Sequence, residues 1–458
     1  MGTLENLLVL YTGIVLVNAA LSGIQWWIQR SSLHRSLTAL WVGTFIALMA
    51  QGALRTGEGQ ILMGFAFVVL INGALAELMA RVLGLRFEWK PMAAVFVVSL
   101  GLAAVLHTTG AGFAVAAIPV AFGGCFPLIL VVTRVLQSIP LSSMSFSMRG
   151  LLVSSVFFVV HTADFPFLRM VEWFAPIGFT IAILIVFGLS VFAPAVVLEI
   201  VTEKQTRFQA EMSVAHRIQT KILPSNPKLS GLELAAYMKP ADEVGGDYYD
   251  VYEIGDYSWI LLGDVTGHGL SSGLVMLMAQ SIITSILHTR ADITPGELNH
   301  LANAILHENL QRLCDDRTMT IIALCRQGNS RQFRFSGMHD DIYVYRAATK
   351  HVDIVHVEQV PHGLGLLNEF DLKDFGEEML NLGDGDLLLL STDGITEAAA
   401  GGDYKKGMFE EGRVVEFLKA HASEPVARIK ERLVEDLQTF TGGVYHDDVT
   451  FLLVRATA

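Results

Sequence analysis

The stretch LNLGDGDLLLLSTDGITEA occupies residues 380–398 and contains four consecutive leucines, 387–390, that lead to Asp393. A short apolar run between turn residues predicts a buried β-strand. Asp393 is therefore expected where a strand gives way to a loop. An acid in that position is held by the strand and can face a cavity that other strands share.

Three further acids in the C-terminal half have the same kind of context. Asp264 in GDVTGHG follows the apolar run 259–262, Asp447 in HDDVTF precedes the run 451–454, and Asp247 stands in GGDYYD. Carboxylate oxygens suit small hard cations such as Mg²⁺ and Mn²⁺. Acids that converge from distant strand ends are typical of a two-metal centre. Each Asp-Gly or Gly-Asp pair could by itself simply close a turn, so this interpretation depends on the four contexts together.

From about residue 205 to residue 455 the chain resembles the SpoIIE-like branch of the PPM family, the metal-dependent serine/threonine protein phosphatases related to type 2C. The segments that carry the resemblance occur in the family's order and are specific as a set. They are HRIQTKILPSNP, PADEVGGDYYDV, GDVTGHGLSSGLVMLMAQ, GLGLL, LNLGDGDLLLLSTDGITEA and HDDVTFLLV. The resemblance implies an α/β PPM phosphatase fold, a β-sandwich flanked by helices, over residues 231–458.

The resemblance also implies which residues bind metal. Asp247, Asp264, the backbone carbonyl of Val265, Asp393 and Asp447 would hold two divalent cations, Mn²⁺ or Mg²⁺. Two such cations lower the pKa of a bound water, hold it for in-line attack on phosphorus and neutralise charge on the phosphoryl oxygens. This mechanism requires no protein nucleophile.

Three neighbouring residues are candidates for supporting roles. Gly246 has no Cβ and lets the backbone approach a metal or phosphate closely. His268 could titrate near neutral pH, but a structural or supporting role is expected for it rather than proton transfer. Asp448 stands where relatives carry Asp or Asn, and its neighbour Asp447 is the better candidate for direct ligation.

One segment departs from the family pattern. Where many members read AGHNPP or similar, residues 336–341 read SGMHDD. A related variant with histidine one place later exists in the family, and none of these residues belongs to the metal set. The departure is therefore expected to affect how a substrate docks.

The N-terminal half has the composition of a membrane domain. The chain is 52% hydrophobic and only 17% charged, its mean hydropathy is +0.47, and the apolar excess lies before residue 200. Apolar stretches of about twenty residues predict an all-α bundle of seven transmembrane helices over residues 1–197, with six helices as the alternative. The stretches lie at roughly 6–26, 36–54, 60–80, 92–109, 111–133, 148–163 and 174–197.

Basic residues set the predicted orientation in the membrane. The first, third and fifth connections hold Arg30, Arg35, Arg81, Arg86, Lys90, Arg134 and Arg149, whereas the even connections hold only Arg55 and Arg169. The positive-inside rule then predicts a multi-pass protein of the cytoplasmic membrane with its amino terminus outside and the phosphatase domain in the cytosol. The first segment lacks a basic n-region and is long enough to remain as an anchor, so no signal peptide is expected.

Few polar side chains fall within these spans: Asn18, Gln51, Asn72, Glu77, His107 and His161. They are consistent with hydrogen bonds between helices or with a pocket for an unknown small ligand or stimulus. Glu77 lies four residues before Arg81, and an (i, i+4) pair explains it sufficiently. The residues by themselves identify no ligand.

Residues 198–230 are predicted to form a helical stalk. Val201, Phe208, Ala215 and Ile222 recur every seven residues in a charged stretch, which gives half of a heptad seam. An amphipathic linker and a dimeric coiled coil both fit this pattern. A continuous helix that ends near Pro224 could pass a rotation or a register shift to the phosphatase domain.

The sequence therefore predicts a lipid-embedded, homodimeric sensor phosphatase that hydrolyses phosphoserine or phosphothreonine on a cytosolic partner. The resemblance implies an anti-sigma-factor antagonist as that partner. A formal net charge of -13 without a basic run argues against nucleic-acid binding. Cys125, Cys314 and Cys325 show no metal-binding spacing.

The sequence is compatible with two other classes of function. In one, the phosphatase-like domain is catalytically silent and binds a partner as a scaffold, for which the altered segment 336–341 leaves room. In the other, the protein is a transporter with a regulatory domain, which predicts internal repeats that the sequence does not convincingly contain.

Overall fold

The computed structural model describes residues 2–54, 57–168, 171–367 and 369–457. The chain forms two compact units, Met1–Arg207 and Phe208–Ala458. The first unit is built from α-helices. They are α1 (Gly2–Gln29), α2 (Ser32–Ala53), α3 (Glu58–Ala66), α4 (Val68–Val82), α5 (Trp89–Thr108), α6 (Phe113–Ser138), α7 (Phe146–Leu168) and the first part of α8 (Ala175–Ile222).

Several helices of the first unit are apolar enough to cross a membrane. In the described part of the chain, eight helices meet the length and composition for a span; seven of them lie between residues 6 and 222, and the eighth is Leu270–Thr289. The number of seven spans and the orientation stay predictions. Arg55 and Arg169, which contribute to the orientation argument, lie outside the described residues.

The helices of the first unit share an apolar core. α1 packs against α2, α2 against α4, and α6 against α4, α5 and α7. Trp41, Leu75 and Met79 are among the largest fully buried side chains. Small residues permit close helix approach, since a Cβ on Gly43 would lie 3.4 Å from the carbonyl oxygen of Leu70.

The predicted pair between Glu77 and Arg81 is confirmed. Arg81 Nη2 lies 2.8 Å from Glu77 Oε1, and Ser36 Oγ and Trp89 Nε1 donate to the same carboxylate at 3.3 and 3.2 Å. Asn72 donates to Val68 O of its own helix. Contacts within the unit thus account for the Glu77 carboxylate, whereas the buried Oδ1 of Asn72 has no hydrogen-bond partner among the described residues.

The second unit begins with the end of α8 and contains an antiparallel sheet with helices. The strands are β1 (Leu232–Lys239), β2 (Tyr248–Ile254), β3 (Tyr257–Val265), β4 (Met319–Gln327), β5 (Gln332–Arg346), β6 (His351–Glu358), β7 (Glu378–Asn381), β8 (Leu387–Ser391) and β9 (Val449–Ala456). The helices are α9 (Leu270–Thr289), α10 (Pro295–Leu313), α11 (Asp393–Thr396), α12 (Glu410–His421) and α13 (Val426–Thr441).

The strands follow the order β1-β9-β8-β5-β4-β3-β2, with β6 and β7 also paired to β5. β5 joins two halves, because residues 334–338 pair with β4 and residues 343–345 pair with β8, with a bulge between His339 and Ile342. Such a bulge bends a strand and lets it serve two sheet surfaces.

Alternation along the strands separates two cores. Leu388 and Leu390 of β8 join the core that contains β3, β4, α9 and α10, whereas Leu387 and Leu389 face α12 and α13. Helices therefore cover both outer sides of the strands, as expected for period-2 burial. The predicted α/β architecture is confirmed at this level.

The sequence also predicts helices over roughly 295–313 and 411–440 and strand-like runs near 319–325 and 333–335. The helix predicted over 295–313 is α10, which begins at Thr294 with a capping box to Glu297. The helical stretch predicted over 411–440 is two helices, because Pro425 stands between α12 and α13 and cannot continue a helix. The strand-like run 333–335 is part of the longer β5.

α9 lies in the second unit although it is long and apolar enough to span a membrane. Its residues Val275, Met276, Ala279 and Ile283 are buried in the core beside β2 and β3. Length and mean hydropathy do not distinguish a helix buried against a sheet from a membrane span.

Candidate metal centre

The strand register brings the four predicted acids to one end of the strands. Tyr248 pairs with Gly263, which places Asp247 and Asp264 at adjacent ends of β2 and β3. Ser391 pairs with Phe451, so that Asp393 and Asp447 lie at adjacent ends of β8 and β9. The two pairs meet, because Thr392 Oγ1 donates to Asp247 Oδ2 at 3.0 Å.

Asp448 is buried and its carboxylate is engaged by the backbone of the segment before β2. Oδ1 accepts from Ala241 N at 2.7 Å, and Oδ2 accepts from Gly246 N at 2.6 Å and Asp247 N at 3.4 Å. Such bonds hold the loop that carries Asp247. The geometry supports a positioning role for Asp448 and leaves Asp447 as the better candidate ligand.

Glycines allow the backbone to pack closely around the acids. A Cβ on Gly246 would lie 2.7 Å from the carbonyl oxygen of Val265, and one on Gly394 would overlap the carbonyl oxygen of Asp448. Gly267 and Gly269, on either side of His268, have φ of +82° and +86°. Only glycine adopts these positions without strain.

Burial and mutual repulsion raise the pKa values of the clustered acids. The pKa of Asp247 is well above its usual value because of burial and then because of Asp264 and Asp448. Burial, followed by Asp393 and Asp447, raises the pKa of Asp264 to about 8. Burial, followed by Asp447 and Glu397, raises the pKa of Asp393 to about 6.

The mutual repulsion of the carboxylates shows whether divalent cations would be stable between them. Carboxylates that destabilise one another's charged forms are stabilised when cations lie between them. Among the described residues, no three His, Cys, Asp or Glu side chains form a ready-made metal-binding group. The donor chemistry and the shared charge fit hard cations, and the individual ligands stay predictions.

His268 lies in an exposed ion pair. Its Nδ1 is 2.6 Å from Asp242 Oδ2, and this hydrogen bond raises the pKa of His268. The contact with Asp242 gives the His268 imidazole a structural partner, which is consistent with the supporting role expected for it.

The altered segment 336–341 lies closer to the acids than the sequence indicated. Burial, followed by the charges of Asp393 and Glu397, raises the pKa of Asp340 to about 7. Glu397 is four residues after Asp393, a spacing that could have marked it as a neighbour. Asp340 could not be placed from the sequence because its position depends on the bulge in β5.

Gln219 is one of the residues near the acids that the sequence analysis did not identify. Gln219, in the last turn of α8, is fully buried; its Nε2 donates to Gly245 O at 2.7 Å, and its Oε1 accepts from Gly245 N at 3.1 Å. One side chain thus satisfies both backbone groups of the residue two before Asp247. The sequence gives no signal for this contact, because a glutamine in a charged helix is expected to face solvent.

Removing this contact should loosen the loop that carries Asp247. In Gln219→Ala the buried N–H and C=O of Gly245 lose their partner, at a cost of about 1–3 kcal/mol. We expect the Mn²⁺ concentration for half-maximal phosphatase activity to rise about tenfold, with activity recovering at saturating Mn²⁺. Gln311→Ala, at an exposed position on α10, is the control; an unchanged Mn²⁺ requirement in Gln219→Ala would contradict the positioning role.

The pattern Cys-x5-Arg occurs at residues 325–331 but does not form a phosphate loop. Cys325 lies on β4 and is buried, and burial raises the pKa of its thiol to about 12. A thiol with this pKa is protonated at neutral pH and is a poor nucleophile. The structure therefore argues against a cysteine-phosphatase mechanism.

Comparison with known proteins finds one family and several similar proteins. Residues 255–457 match the family described as Stage II sporulation protein E (SpoIIE). Phosphoserine phosphatase RsbU of Bacillus subtilis is 25% identical over 255 residues, which are 55% of this chain and 71% of that protein. Phosphoserine phosphatase RsbP of the same organism is 24% identical, over 53% of this chain and 57% of that protein. Among solved structures, the SiaA-PP2C domain of Pseudomonas aeruginosa is 24% identical with a TM-score of 0.48, over 55% of this chain and 98% of that domain.

Proposed function

We propose that the C-terminal domain is a SpoIIE-like, metal-dependent serine/threonine protein phosphatase of the PPM family and that it acts on a phosphorylated regulatory protein in the cytosol. RsbU and RsbP bear the name phosphoserine phosphatase, which supports phosphoserine or phosphothreonine as the substrate group. An anti-sigma-factor antagonist is the partner that fits the family resemblance. The observation that carries the proposal is the convergence of acids from four strand ends.

Asp247, Asp264, the Val265 carbonyl, Asp393 and Asp447 are the proposed ligands of two cations, Mn²⁺ or Mg²⁺. When bound, the cations supply charge that favours a deprotonated water nucleophile and stabilises the phosphoryl oxygens.

The chain's other residues have positioning roles in this proposal. Asp448 holds the backbone before β2, and Thr392 orients the Asp247 carboxylate. Gln219 fixes Gly245. These contacts preorganise the acids, which is the main contribution that a protein makes to metal-assisted hydrolysis.

The N-terminal unit is proposed to be a seven-span sensor domain with its amino terminus outside, surrounded by membrane lipid and responsive to a small ligand or another stimulus. The stalk would connect it to the phosphatase in a homodimer. Phe208, on the predicted seam, is 60% exposed, as expected of a residue that packs against a second copy. The contact of Gln219 with Gly245 gives the end of α8 a direct route to the loop that carries Asp247.

Hydrolysis of p-nitrophenyl phosphate by the full-length protein in detergent tests the proposed function. We expect turnover with Mn²⁺ or Mg²⁺ and none with EDTA, because the acids repel one another without cations. Turnover that persists in EDTA would contradict metal dependence. No turnover with either cation would favour the scaffold alternative.

A further inference from the structure

Between α11 and α12 the chain forms a short closed loop, residues 400–407 with the sequence AGGDYKKG, here called the Tyr404 loop. Ala400 N donates to Gly407 O at 2.9 Å and closes the loop. Gly401, Gly402 and Gly407 have φ of +59°, +71° and +103°. The loop is compact, and its conformation depends on glycine at these positions.

The Tyr404 loop is fixed to the residues that precede Asp447. The Tyr404 ring stacks on His446 with ring centroids 5.2 Å apart, and His446 Nε2 lies 2.9 Å from Gly402 O. A Cβ on Gly402 would lie 2.9 Å from Val444 Cβ. Because His446 directly precedes Asp447, the loop is held beside the candidate metal centre.

The Tyr404 loop and one of the four acids, Asp447, line one cleft. Tyr404, Tyr445, His446, Glu397 and Asp447 line this shallow cleft. Tyr404 is 52% exposed. A half-exposed aromatic ring beside a reaction centre offers a surface for the chain that carries the reacting group.

The cleft lining and the Tyr404 loop carry charges of opposite sign. Glu397 and Asp447 contribute negative charge to the lining, whereas Lys405 and Lys406 are exposed on the loop. Within the described residues, no carboxylate forms an ion pair with either of these two ammonium groups. The two lysines of the loop can therefore attract an anionic segment that the acids of the cleft would repel.

We propose that the Tyr404 loop binds the part of the phosphoprotein substrate next to the phosphoserine, and that Lys405 and Lys406 pair with acidic residues in that segment. The inference rests on the proposed function and adds a substrate class to it, phosphoserine with acidic flanks. Tyr404 supports the segment through ring contact. The loop determines specificity and takes no part in the hydrolysis itself.

The test compares three substrates: p-nitrophenyl phosphate and two phosphoserine peptides of equal length, one with acidic and one with basic flanks. In the full-length double variant Lys405→Ala/Lys406→Ala, two lost charge contacts should lower kcat/KM for the acidic peptide about five- to tenfold. The loss should be in KM, should shrink at high salt, and should leave p-nitrophenyl phosphate within about twofold. Lys419→Ala, an exposed lysine on α12, is the matched control.

Tyr404→Ala provides a second measurement. It should raise KM for both peptides alike and leave the metal requirement unchanged, because the ring contacts the peptide and not the cations. An equal loss on all three substrates in the lysine variant would overturn the proposal, since it would show that the loop only supports the metal centre. No loss, or a loss confined to the basic peptide, would overturn it as well. Failure of the unmodified protein to hydrolyse any of the three would instead overturn the proposed function.

Discussion

Asp393→Ala is expected to lower kcat/KM for p-nitrophenyl phosphate by about a thousandfold or more, because charge stabilisation by bound cations supplies several kcal/mol to the transition state. Asp393 follows β8 directly and adjoins the pair formed by Asp247 and Thr392. The loss should appear in kcat, with Mn²⁺ and with Mg²⁺.

The same substitution should not unfold the domain. Burial and the charges of Asp447 and Glu397 disfavour the ionised form of Asp393, so that its pKa is about 6. Removing the group relieves this repulsion, and in EDTA the variant should be at least as stable as the unmodified protein. The stabilisation that Mn²⁺ gives, about 2.7 kcal/mol at a hundredfold excess over Kd, should fall sharply.

Asp436→Ala, at an exposed position on α13, is the control for loss of an acid. It should keep both the activity and the stabilisation by Mn²⁺. Retained turnover in Asp393→Ala, or an unchanged response of its unfolding to Mn²⁺, would remove this residue from the metal set.

The acids could be predicted from the sequence because strand ends have local signals. The leucines before Asp393 and the apolar runs beside Asp264 and Asp447 mark buried strands, and glycine marks the turns. The structure confirms these strands as β8, β3 and β9. The period and the length of an apolar run are properties of a short segment, and tertiary contacts do not change them.

Gln219 and Asp340 could not be predicted, because what matters for each is decided by tertiary contacts. Gln219 meets Gly245 only because the end of α8 returns to the segment before β2. Asp340 approaches Asp393 because β5 continues through a bulge at His339. A glutamine in a charged helix is expected to face solvent, and an altered motif does not indicate where its side chains point.

Without cations, the phosphatase domain is expected to lose stability as the pH rises from about 5.5 to 8. The folded-state pKa values of Asp393 and Asp264 are about 6 and about 8, above the value of about 3.9 for a free aspartate. Between the unfolded-state and the folded-state pKa values, the folded protein binds more protons than the unfolded protein, so the free energy of unfolding falls with increasing pH. The contribution of these two carboxyl groups to stability is fully present below their unfolded-state pKa of about 3.9. It is lost as the pH rises through their folded-state pKa values of about 6 and about 8.

Hydrogen exchange of the β3 amides in the full-length protein measures this effect in the relevant unit, since Asp264 is near the end of β3. In EDTA, protection factors at pH 8 should be at least about tenfold lower than at pH 5.5, the equivalent of one pKa unit. With saturating Mn²⁺ the difference should shrink, because cations stabilise the ionised carboxylates. Asp264→Asn should also reduce the difference in protection between pH 5.5 and pH 8, whereas Asp436→Asn should not. An equal fall in protection with and without Mn²⁺ would show that these acids do not share bound cations.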